Sequence, residues 1–303
     1  MRDLNFALSV MCRHNKDGSF GTRKARHDNL QLIARELKEL GFNQIKHPSQ
    51  FKAKHVYSLL EKWQDPVKPL SIGTIKNRLG SLRWAGEKSG NTGFIRSSND
   101  YYGIERRSFV GEDKALEFTH EKLAAITDDR VRFSAELQKH FGLRREEAIK
   151  FVVSYADRTT HIHLKSSWCK GGRERDIPVV TKEQTQLLKR IRAAVGVGSL
   201  IPERMKYIEQ LKVFEKQMHR AGLGKTHGAR HLYAQTRYTQ LTAEIQNRIT
   251  GKDLDGFKAV CAGGVKPAQM DKQDRMIDRE ARQTLSRELG HDRIQICSIY
   301  LGG

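Results

Sequence analysis

Apolar residues at helical spacing run through the N-terminal part of the chain and restrict what it can fold into. Three stripes follow one another: Leu30, Ile33, Leu37 and Leu40; Val56, Leu59, Leu60 and Trp63; Ile72, Ile75, Leu79 and Leu82. Residues three or four positions apart share one face of a helix, so each stripe predicts an amphipathic helix. Ser71 can cap the third helix, and Gly41 and Gly90 end the first and the third.

A polar, glycine-containing stretch from Ser97 to Gly111 has no helical periodicity and predicts a linker. Beyond it, one helix is predicted near Thr119–Ile126 and another around Arg132–Phe141. This change of pattern divides the chain into a helical domain at residues 1–105 and a second domain at residues 109–303.

A single β-hairpin is predicted inside the second domain. Residues 160–164 alternate between polar and apolar, and residues 176–180 form a second strand after a basic turn. Helices then dominate to the end of the chain, interrupted by a predicted long loop at Gly251–Gln273. The predicted fold class is therefore mostly α with a small β-sheet, and the second domain is mixed α/β.

The net charge of the chain indicates which partners it binds. It carries 55 Lys and Arg against 35 Asp and Glu, which gives a formal net charge of +20. DNA or RNA is the natural counterpart, because neutralising phosphates releases condensed counterions. The basic residues lie among Leu, Ile and Val, which indicates a folded basic protein. No apolar run approaches the roughly 18 residues of a membrane span, and the N-terminus lacks a signal-peptide core, so no membrane partner is predicted.

The cysteines do not suggest a metal site. Four of them lie far apart with no CxxC pair: Cys12, Cys169, Cys261 and Cys297. This spacing argues against a zinc site and against a disulfide framework, and it fits a reducing cytoplasm. No metal is predicted.

Two groups of cations are candidate DNA contacts. The first lies on the third predicted helix and comprises Lys76, Arg78, Arg83 and Lys88. The second lies at the hairpin turn and comprises Arg173 and Arg175. A solvated helix face is the simpler interpretation of the first group, but the net charge of +20 favours a surface that touches phosphate.

Four short islands hold the residues best suited to chemistry. They are Gly142-Leu143-Arg144-Arg145-Glu146-Glu147, the turn containing Lys170, Thr226-His227-Gly228-Ala229-Arg230-His231, and Leu289-Gly290-His291 with Tyr300 nine positions later. Each island alone is weak evidence, because such arginines, histidines and tyrosines are usually structural. Their joint occurrence in this order is specific.

In that order the islands resemble the tyrosine recombinases, also called phage-type integrases. The family has an Arg in a G-L-R-x-x-E turn, a Lys in a hairpin turn written roughly G-K-G-x-x-R-x-x-P, an H-x-x-R motif, and L-G-H followed nine residues later by Tyr. The matching residues are Arg144, Lys170, His227, Arg230, His291 and Tyr300. The N-terminal helices also look like the core-binding domain of the family, so the resemblance covers nearly the whole chain.

The resemblance implies a role for each residue. Tyr300 would be the covalent nucleophile, and Arg144 and Arg230 would hold the non-bridging phosphate oxygens. Lys170 would protonate the departing 5′-oxygen. His227 would help handle the nucleophile's proton, and His291 would donate a hydrogen bond to the phosphate.

The resemblance also implies a setting. The helical core-binding domain and the catalytic domain would form a C-shaped clamp around double-stranded DNA at attachment-type core sites. The working assembly would be a homotetramer, with a possible accessory directionality protein. Neither metal, ATP nor another cofactor is expected. The gene is expected to belong to a mobile element such as a prophage or genomic island. The protein is expected in the bacterial cytoplasm, associated with the nucleoid.

The chain departs from most relatives in three ways. Arg230 and His291 are 61 positions apart (291 − 230), which suggests an insertion at about residues 243–283. Little sequence precedes the first helices, so we expect no arm-binding domain. Few residues follow Tyr300, so we expect its position without DNA to be mobile or displaced.

Two alternatives remain from the sequence. One is a non-catalytic DNA-binding regulator derived from a recombinase, and the intact set of six residues argues against it. The other is a type IB topoisomerase, which also uses a tyrosine nucleophile and cations that stabilise the charge on the phosphate.

Overall fold

Separate apolar cores divide the chain into two units, Met1–Ser108 and Phe109–Gly303. A computed structural model describes the following residues: 3–106, 113–224, 226–251, 269–291 and 293–301. Within these ranges the protein is mostly helical with one two-stranded sheet, as predicted. None of the helices in the described ranges is long and apolar enough to cross a membrane.

The first unit consists mainly of four helices. They are α1 (Leu4–His14), α2 (Phe20–Glu39), α3 (Ala53–Trp63) and α4 (Ile72–Lys88). The three predicted stripes lie on α2, α3 and α4, and most of their residues are buried in one core. Helix α1 was not predicted; Leu4 and Leu8 anchor it to the same core.

A buried polar network crosses this core. Arg78 Nη1 donates to Glu36 Oε1 at 2.9 Å, and Trp63 Nε1 donates to Glu36 Oε2 at 2.8 Å. Arg78 is only 7% exposed. The prediction that Arg78 faces DNA is therefore wrong, because its charge is neutralised by a buried carboxylate inside the fold.

Arg83 is also engaged within its own unit. Its Nε donates to the backbone oxygen of Arg96 at 2.8 Å, and Nη2 donates to Asn99 Oδ1 at the same distance. The side chain thus ties α4 to the segment that follows it. Lys76 is half-buried on α4, whereas Lys88 is exposed at its end.

The second unit contains nine of the described helices and one hairpin. Its elements are α5 (His120–Ala124), α6 (Asp129–Phe141), α7 (Arg145–Ile149), α8 (Val153–Ala156), β1 (His161–Leu164), β2 (Arg175–Pro178), α9 (Lys182–Val195), α10 (Tyr207–Arg220), α11 (His227–Thr250), α12 (Lys272–Glu288) and α13 (Cys297–Leu301). Helices α11, α12 and α13 pack around the same apolar core as the hairpin.

The hairpin is antiparallel, with Ile162 opposite Ile177 and His163 opposite Asp176. The two isoleucines are fully buried, and the histidine and aspartate lie on the other face. This alternation is the period of two from which the strands were predicted. The observed strands start or end one or two residues away from the predicted bounds.

The predicted insertion at residues 243–283 is helical at both of its ends. Helix α11 continues to Thr250, and α12 begins at Lys272. Residues 252–268, which hold most of the predicted loop, lie outside the described residues. The same applies to residues 107–112 of the predicted linker.

Two glycines allow α11 to approach the rest of the second unit. A Cβ on Gly142, which ends α6 with φ +61°, would lie 2.3 Å from Cδ1 of Tyr233 on α11. A Cβ on Gly228 would lie 2.5 Å from the backbone oxygen of Lys114. Only glycine fits at either contact, and both contacts fix the start of α11 where the candidate residues lie.

Candidate active site

Tyr300 lies inside the second unit, with its hydroxyl beside two of the predicted residues. The hydroxyl is 3.2 Å from Nε2 of His291 and accepts a hydrogen bond from Nε of Arg230 at 3.3 Å. Helix α13 carries the tyrosine, which is 5% exposed. The expectation that Tyr300 is displaced without DNA is therefore wrong, because neighbouring side chains already hold it.

Arg230 is the most buried cation of the site, at 1% exposure. Nη1 donates to the backbone oxygen of Gly142 at 2.5 Å, and Nη2 donates to that of Leu289. Burial and the nearby Arg144 lower the pKa of Arg230 to about 10, so it still carries its charge at neutral pH. An arginine has five N–H groups; four of them face Tyr300, Gly142, Leu289 and His291 here, so one remains for an anion.

Arg144 lies beside Arg230 at the start of α7. Its Nη2 donates to the backbone oxygen of Leu289 at 3.3 Å, the same oxygen that Arg230 contacts. Its Nη1 is 2.9 Å from Glu147 Oε1. The two guanidinium groups therefore converge on one place, which is the arrangement that suits a phosphate with two free oxygens.

Glu147 is fully buried and also binds Arg175. Arg175 Nη1 and Nη2 donate to its two oxygens at 3.0 and 2.7 Å. Burial alone would raise the pKa of Glu147, but the Arg175 hydrogen bonds and charge lower it to about 2. The prediction that Arg175 contacts DNA is wrong, because the residue is only 8% exposed and its guanidinium is paired inside the fold.

Three histidines surround Tyr300. The centroids of the rings of His231, His291 and His227 are 4.9, 5.8 and 5.9 Å from that of Tyr300. Burial lowers the pKa of His227, and the neighbouring His231 and Arg230 lower it further. Burial also lowers the pKa of His231, which Asp113 partly offsets. Both rings are therefore neutral at pH 7.

His291 has the lowest histidine pKa of the site, at about 4. Burial is the main cause, followed by the charges of Arg230 and Arg144. Its Nε2 lies 3.4 Å from Arg230 Nη2. Positive charges thus repel a proton from this ring, and the same charges attract an anion.

The hairpin turn carries the remaining predicted residues. Lys170 and Arg173 are both exposed there. Cys169, the residue before Lys170, lies against the buried end of the hairpin, where its Sγ is 3.3 Å from Arg175 Nη1. The structure therefore fixes the base of the turn near Glu147 and leaves Lys170 at the surface.

Several residues that support the site were not predicted. Gln235 Nε2 donates to the backbone oxygen of Tyr300 at 3.3 Å and to Asp113 Oδ1 at 2.8 Å. Glu288, next to Leu289, accepts hydrogen bonds from Tyr233 and Arg237. One feature of the sequence could have indicated Gln235. It follows His227 and His231 at intervals of four residues, which puts the three side chains on one face of α11.

Taken together, the site presents the Tyr300 hydroxyl next to the guanidinium of Arg230, with the guanidinium of Arg144 beside that of Arg230 and three neutral imidazoles around the phenol ring. Guanidinium groups bind phosphate oxygens in pairs and retain their charge. Such a site suits a negatively charged phosphodiester positioned for attack by the tyrosine oxygen.

Two family models match the chain. One, described as phage integrase, N-terminal, matches residues 1–94, and the other, described as integrase, matches residues 103–236. The second match ends before His291 and Tyr300, so their place in the site comes from the structure. A comparison with curated proteins finds no significant sequence match.

Solved structures share the fold at low sequence identity. A lambda integrase dimer bound to a COC′ core site has a TM-score of 0.59 and 14% identity, covering 98% of this chain and 94% of that chain. The XerH recombinase bound to a palindromic difH substrate has a TM-score of 0.56 and 15% identity, covering 97% and 79%. The Tn1549 transposon integrase in complex with transposon right-end DNA has a TM-score of 0.50 and 14% identity, covering 98% and 93%.

The two models between them match most of the chain, and the fold agrees with these structures. Arg230 and His291, two residues of the family's motifs, lie within hydrogen-bonding distance of the Tyr300 hydroxyl. The chain therefore belongs to the tyrosine recombinase family of phage-type integrases, enzymes that break and rejoin DNA strands at specific sites.

Proposed function

We propose that the protein is a site-specific DNA recombinase of a mobile genetic element, with Tyr300 as its nucleophile. The tyrosine oxygen attacks a DNA phosphodiester, forms a 3′-phosphotyrosyl bond and releases a 5′-hydroxyl. The observation that carries this proposal is the Tyr300 hydroxyl, which lies within hydrogen-bonding distance of both Arg230 and His291. A tyrosine used only for packing would not need a phenol oxygen among these groups.

The roles of the cations follow from where charge develops. Arg144 and Arg230 bind the non-bridging oxygens and stabilise the negative charge of the transition state. His291 is neutral at pH 7 and therefore has one ring N–H, which it donates to the phosphate. This arrangement offsets the weakness of a phenol as nucleophile, because the phosphorus becomes more electrophilic.

Two protons have to move during cleavage. His227 takes part in removing the proton of the Tyr300 hydroxyl, for which a neutral ring is suitable. Lys170 supplies a proton to the departing 5′-oxygen. Lys170 is exposed on the hairpin turn, which leaves its ammonium group accessible to bound DNA.

Rejoining is the reverse of cleavage with a different strand. The 5′-hydroxyl of a second DNA strand attacks the phosphotyrosine, and two such exchanges pass through a Holliday junction. The phosphotyrosyl bond retains the energy of the phosphodiester, so the reaction uses no ATP. Four copies on two attachment-type core sites would carry out the exchange, with direction set by an accessory protein. The bacterial cytoplasm, in contact with the nucleoid, is the proposed location.

Trapping of the covalent intermediate tests the proposal. The purified protein is incubated, in the presence of a chelator, with nicked duplexes made from the DNA that flanks its gene. After denaturation, protein-linked strands are isolated and sequenced. We expect one linkage site for the native protein and none for Tyr300→Phe. Tyr207→Phe, on α10, is the matched control and should retain the adduct.

Other outcomes favour other functions. No adduct on any duplex, together with specific DNA binding, would identify a regulator. Relaxation of plain supercoiled plasmid by monomers without a preferred site would identify a topoisomerase.

A sulfur substitution isolates the role of Lys170. With sulfur in place of the 5′-bridging oxygen, the leaving group departs as a thiolate and needs no proton. Lys170→Ala should reduce cleavage of normal DNA by about 10²–10⁴-fold and cleave the sulfur substrate at nearly the native rate. Arg173→Ala in the same turn is the control, since any defect it causes should persist with sulfur. Equal defects of Lys170→Ala on both substrates would remove it from the role of general acid.

A further inference from the structure

Phe20 is an exposed aromatic residue of the helical first unit. It is the first residue of α2 and is 86% exposed. The guanidinium carbon of Arg23 lies 4.3 Å from the centroid of its ring. This stacking restricts the ring without covering it, so a large apolar surface stays in water.

The surroundings of Phe20 are strongly basic. Its neighbours along the end of α1 and the start of α2 include the exposed cations Arg13, Lys16 and Lys24. The nearby acid, Asp17, is already engaged: Oδ1 is 3.3 Å from Arg26 Nη1, and Oδ2 accepts from Trp84 Nε1 at 3.0 Å. The local charge around Phe20 is therefore positive.

Arg23 itself has capacity for another partner. Its Nε is buried and has no hydrogen-bond partner among the residues that the structure describes. Within that part of the chain, no carboxylate lies within ion-pair distance of its guanidinium, whereas Lys24 is paired with Asp28 at 2.7 Å. Arg23 as a whole is half-buried, so an incoming phosphate oxygen would meet the terminal N–H groups of its guanidinium and not the buried Nε.

We propose that Phe20 recognises a thymine methyl group in the major groove of the core site, while Arg23 binds an adjacent phosphate. This inference rests on the proposed function, since it takes duplex DNA as the partner. The major groove admits an α-helix, and residues at a helix start contact base edges in known docking geometries. The thymine C5-methyl is the apolar group that base edges offer there.

Charge decides between DNA and a second copy of the chain at this surface. Another copy would bring its own +20 charge toward the same cations, which is unfavourable. DNA supplies the opposite charge along its backbone and an apolar group between the phosphates. The combination of one aromatic ring and several cations thus fits DNA better than a protein surface.

Replacement of thymine by uracil tests the contact directly, because it removes only the methyl group. Equilibrium binding is measured with Tyr300→Phe, which prevents cleavage, on the core site identified from the covalent adduct. Each thymine is replaced in turn. We expect uracil at the contacted position to weaken binding about fourfold, the effect of losing one buried methyl. Adding Phe20→Ala should weaken binding to the thymine site and abolish the difference between thymine and uracil at that position.

A control and a second readout keep the outcomes separate. Val67→Ala alters another exposed apolar residue, 91% exposed, and should leave the thymine preference intact. Arg23→Gln should reduce the salt dependence of binding by about one phosphate contact.

The inference is overturned if Phe20→Ala binds both sites as its parent does, or if it changes the oligomeric state without DNA and leaves DNA affinity unchanged. Either result would leave the Tyr300-dependent adduct, and hence the proposed function, untouched.

Discussion

Both carboxylate oxygens of Glu147 accept hydrogen bonds from the guanidinium of Arg175, at 3.0 and 2.7 Å, and the pair is buried. The same carboxylate accepts from the backbone N–H of Arg144 at 2.7 Å and lies 2.9 Å from its Nη1. One buried carboxylate therefore joins strand β2 of the hairpin to an arginine of the site. The position of the hairpin and that of Arg144 are mechanically linked through it.

Removing the charge of Glu147 should damage both stability and activity. Glu147→Gln leaves Arg175 buried without a counter-charge, and breaking such a pair typically costs about 3–5 kcal/mol. We expect the free energy of unfolding, measured with urea, to fall by about that amount. The yield of covalent adduct should fall as well at temperatures where the variant is folded.

The neighbouring Glu146 provides the matched control. It pairs with Lys150 at 2.5 Å on the surface of α7, where an ion pair contributes about 1 kcal/mol or less. Glu146→Gln should therefore behave almost as the native protein. Similar losses in the two variants would show that the buried pair has no special role.

Alanine substitutions of Arg78 and Lys88 should change the free energy of unfolding by different amounts, although both residues lie on α4. Arg78→Ala leaves Glu36 buried and unpaired, which should lower the free energy of unfolding by about 3–5 kcal/mol. Lys88→Ala should barely change stability, since its contact with Glu87 spans 3.6 Å at the surface.

Salt dependence of DNA binding separates the two residues further. If Lys88 neutralises one phosphate, Lys88→Ala should lower the slope of log affinity against log salt by about 0.9. Arg78→Ala, measured where it is still folded, should keep the native slope. An unchanged slope for Lys88→Ala would remove that residue from the DNA contacts.

Local spacing predicted most of the helices and the hairpin, and the resemblance to the family predicted Arg230 and His291 beside Tyr300. The sequence did not predict the pairing of Arg78 with Glu36, which lies 42 positions away. Nor did it predict the pairing of Arg175 with Glu147. A cation on a helix or strand has the same local pattern whether it faces solvent or a buried carboxylate. Only the packing of distant segments decides between them.

The contacts that hold Tyr300 in place could not be predicted from the sequence for the same reason. Gln235 reaches the backbone of Tyr300 across 65 positions of sequence, and Leu289 contributes a backbone oxygen rather than a side chain. Backbone acceptors leave no trace in residue identity. The motif spacing was informative because it selects residues by chemical type, whereas these contacts depend on geometry alone.

The close approach of Gly142 to Tyr233 predicts a stability difference between two glycine substitutions. Gly142→Ala and Gly90→Ala each place an alanine at positive φ, +61° and +69°, which costs about 1–2 kcal/mol. Gly142→Ala also drives its Cβ into the Tyr233 ring, whereas Gly90 has no neighbour within 4 Å. Overpacking should add about 1–3 kcal/mol at Gly142. Thermal or urea unfolding of both variants measures the difference, and equal losses would contradict the contact.

His291 should make stability depend on pH in a window different from that of Glu147. Its pKa in the folded protein is about 4, below the ordinary value of 6.5, because of burial and nearby arginines. Between these values the unfolded chain binds a proton more readily than the folded one. The stabilising contribution is therefore complete above pH 6.5 and is lost as the pH falls toward 4. For Glu147, whose pKa is about 2 against 4.5, the loss occurs only below pH 4.5.

The variant His291→Gln removes the titrating group and should flatten the pH profile between 6.5 and 4.5. Because the ring is half-buried, solvent reduces the effect, and we expect a difference of about 1–2 kcal/mol across this range. Urea unfolding of the native protein and the variant at several pH values gives the comparison. The other buried histidines contribute equally to both proteins, so the difference between the two curves isolates His291. Parallel curves would show that the arginines around Tyr300 do not repel a proton from this ring.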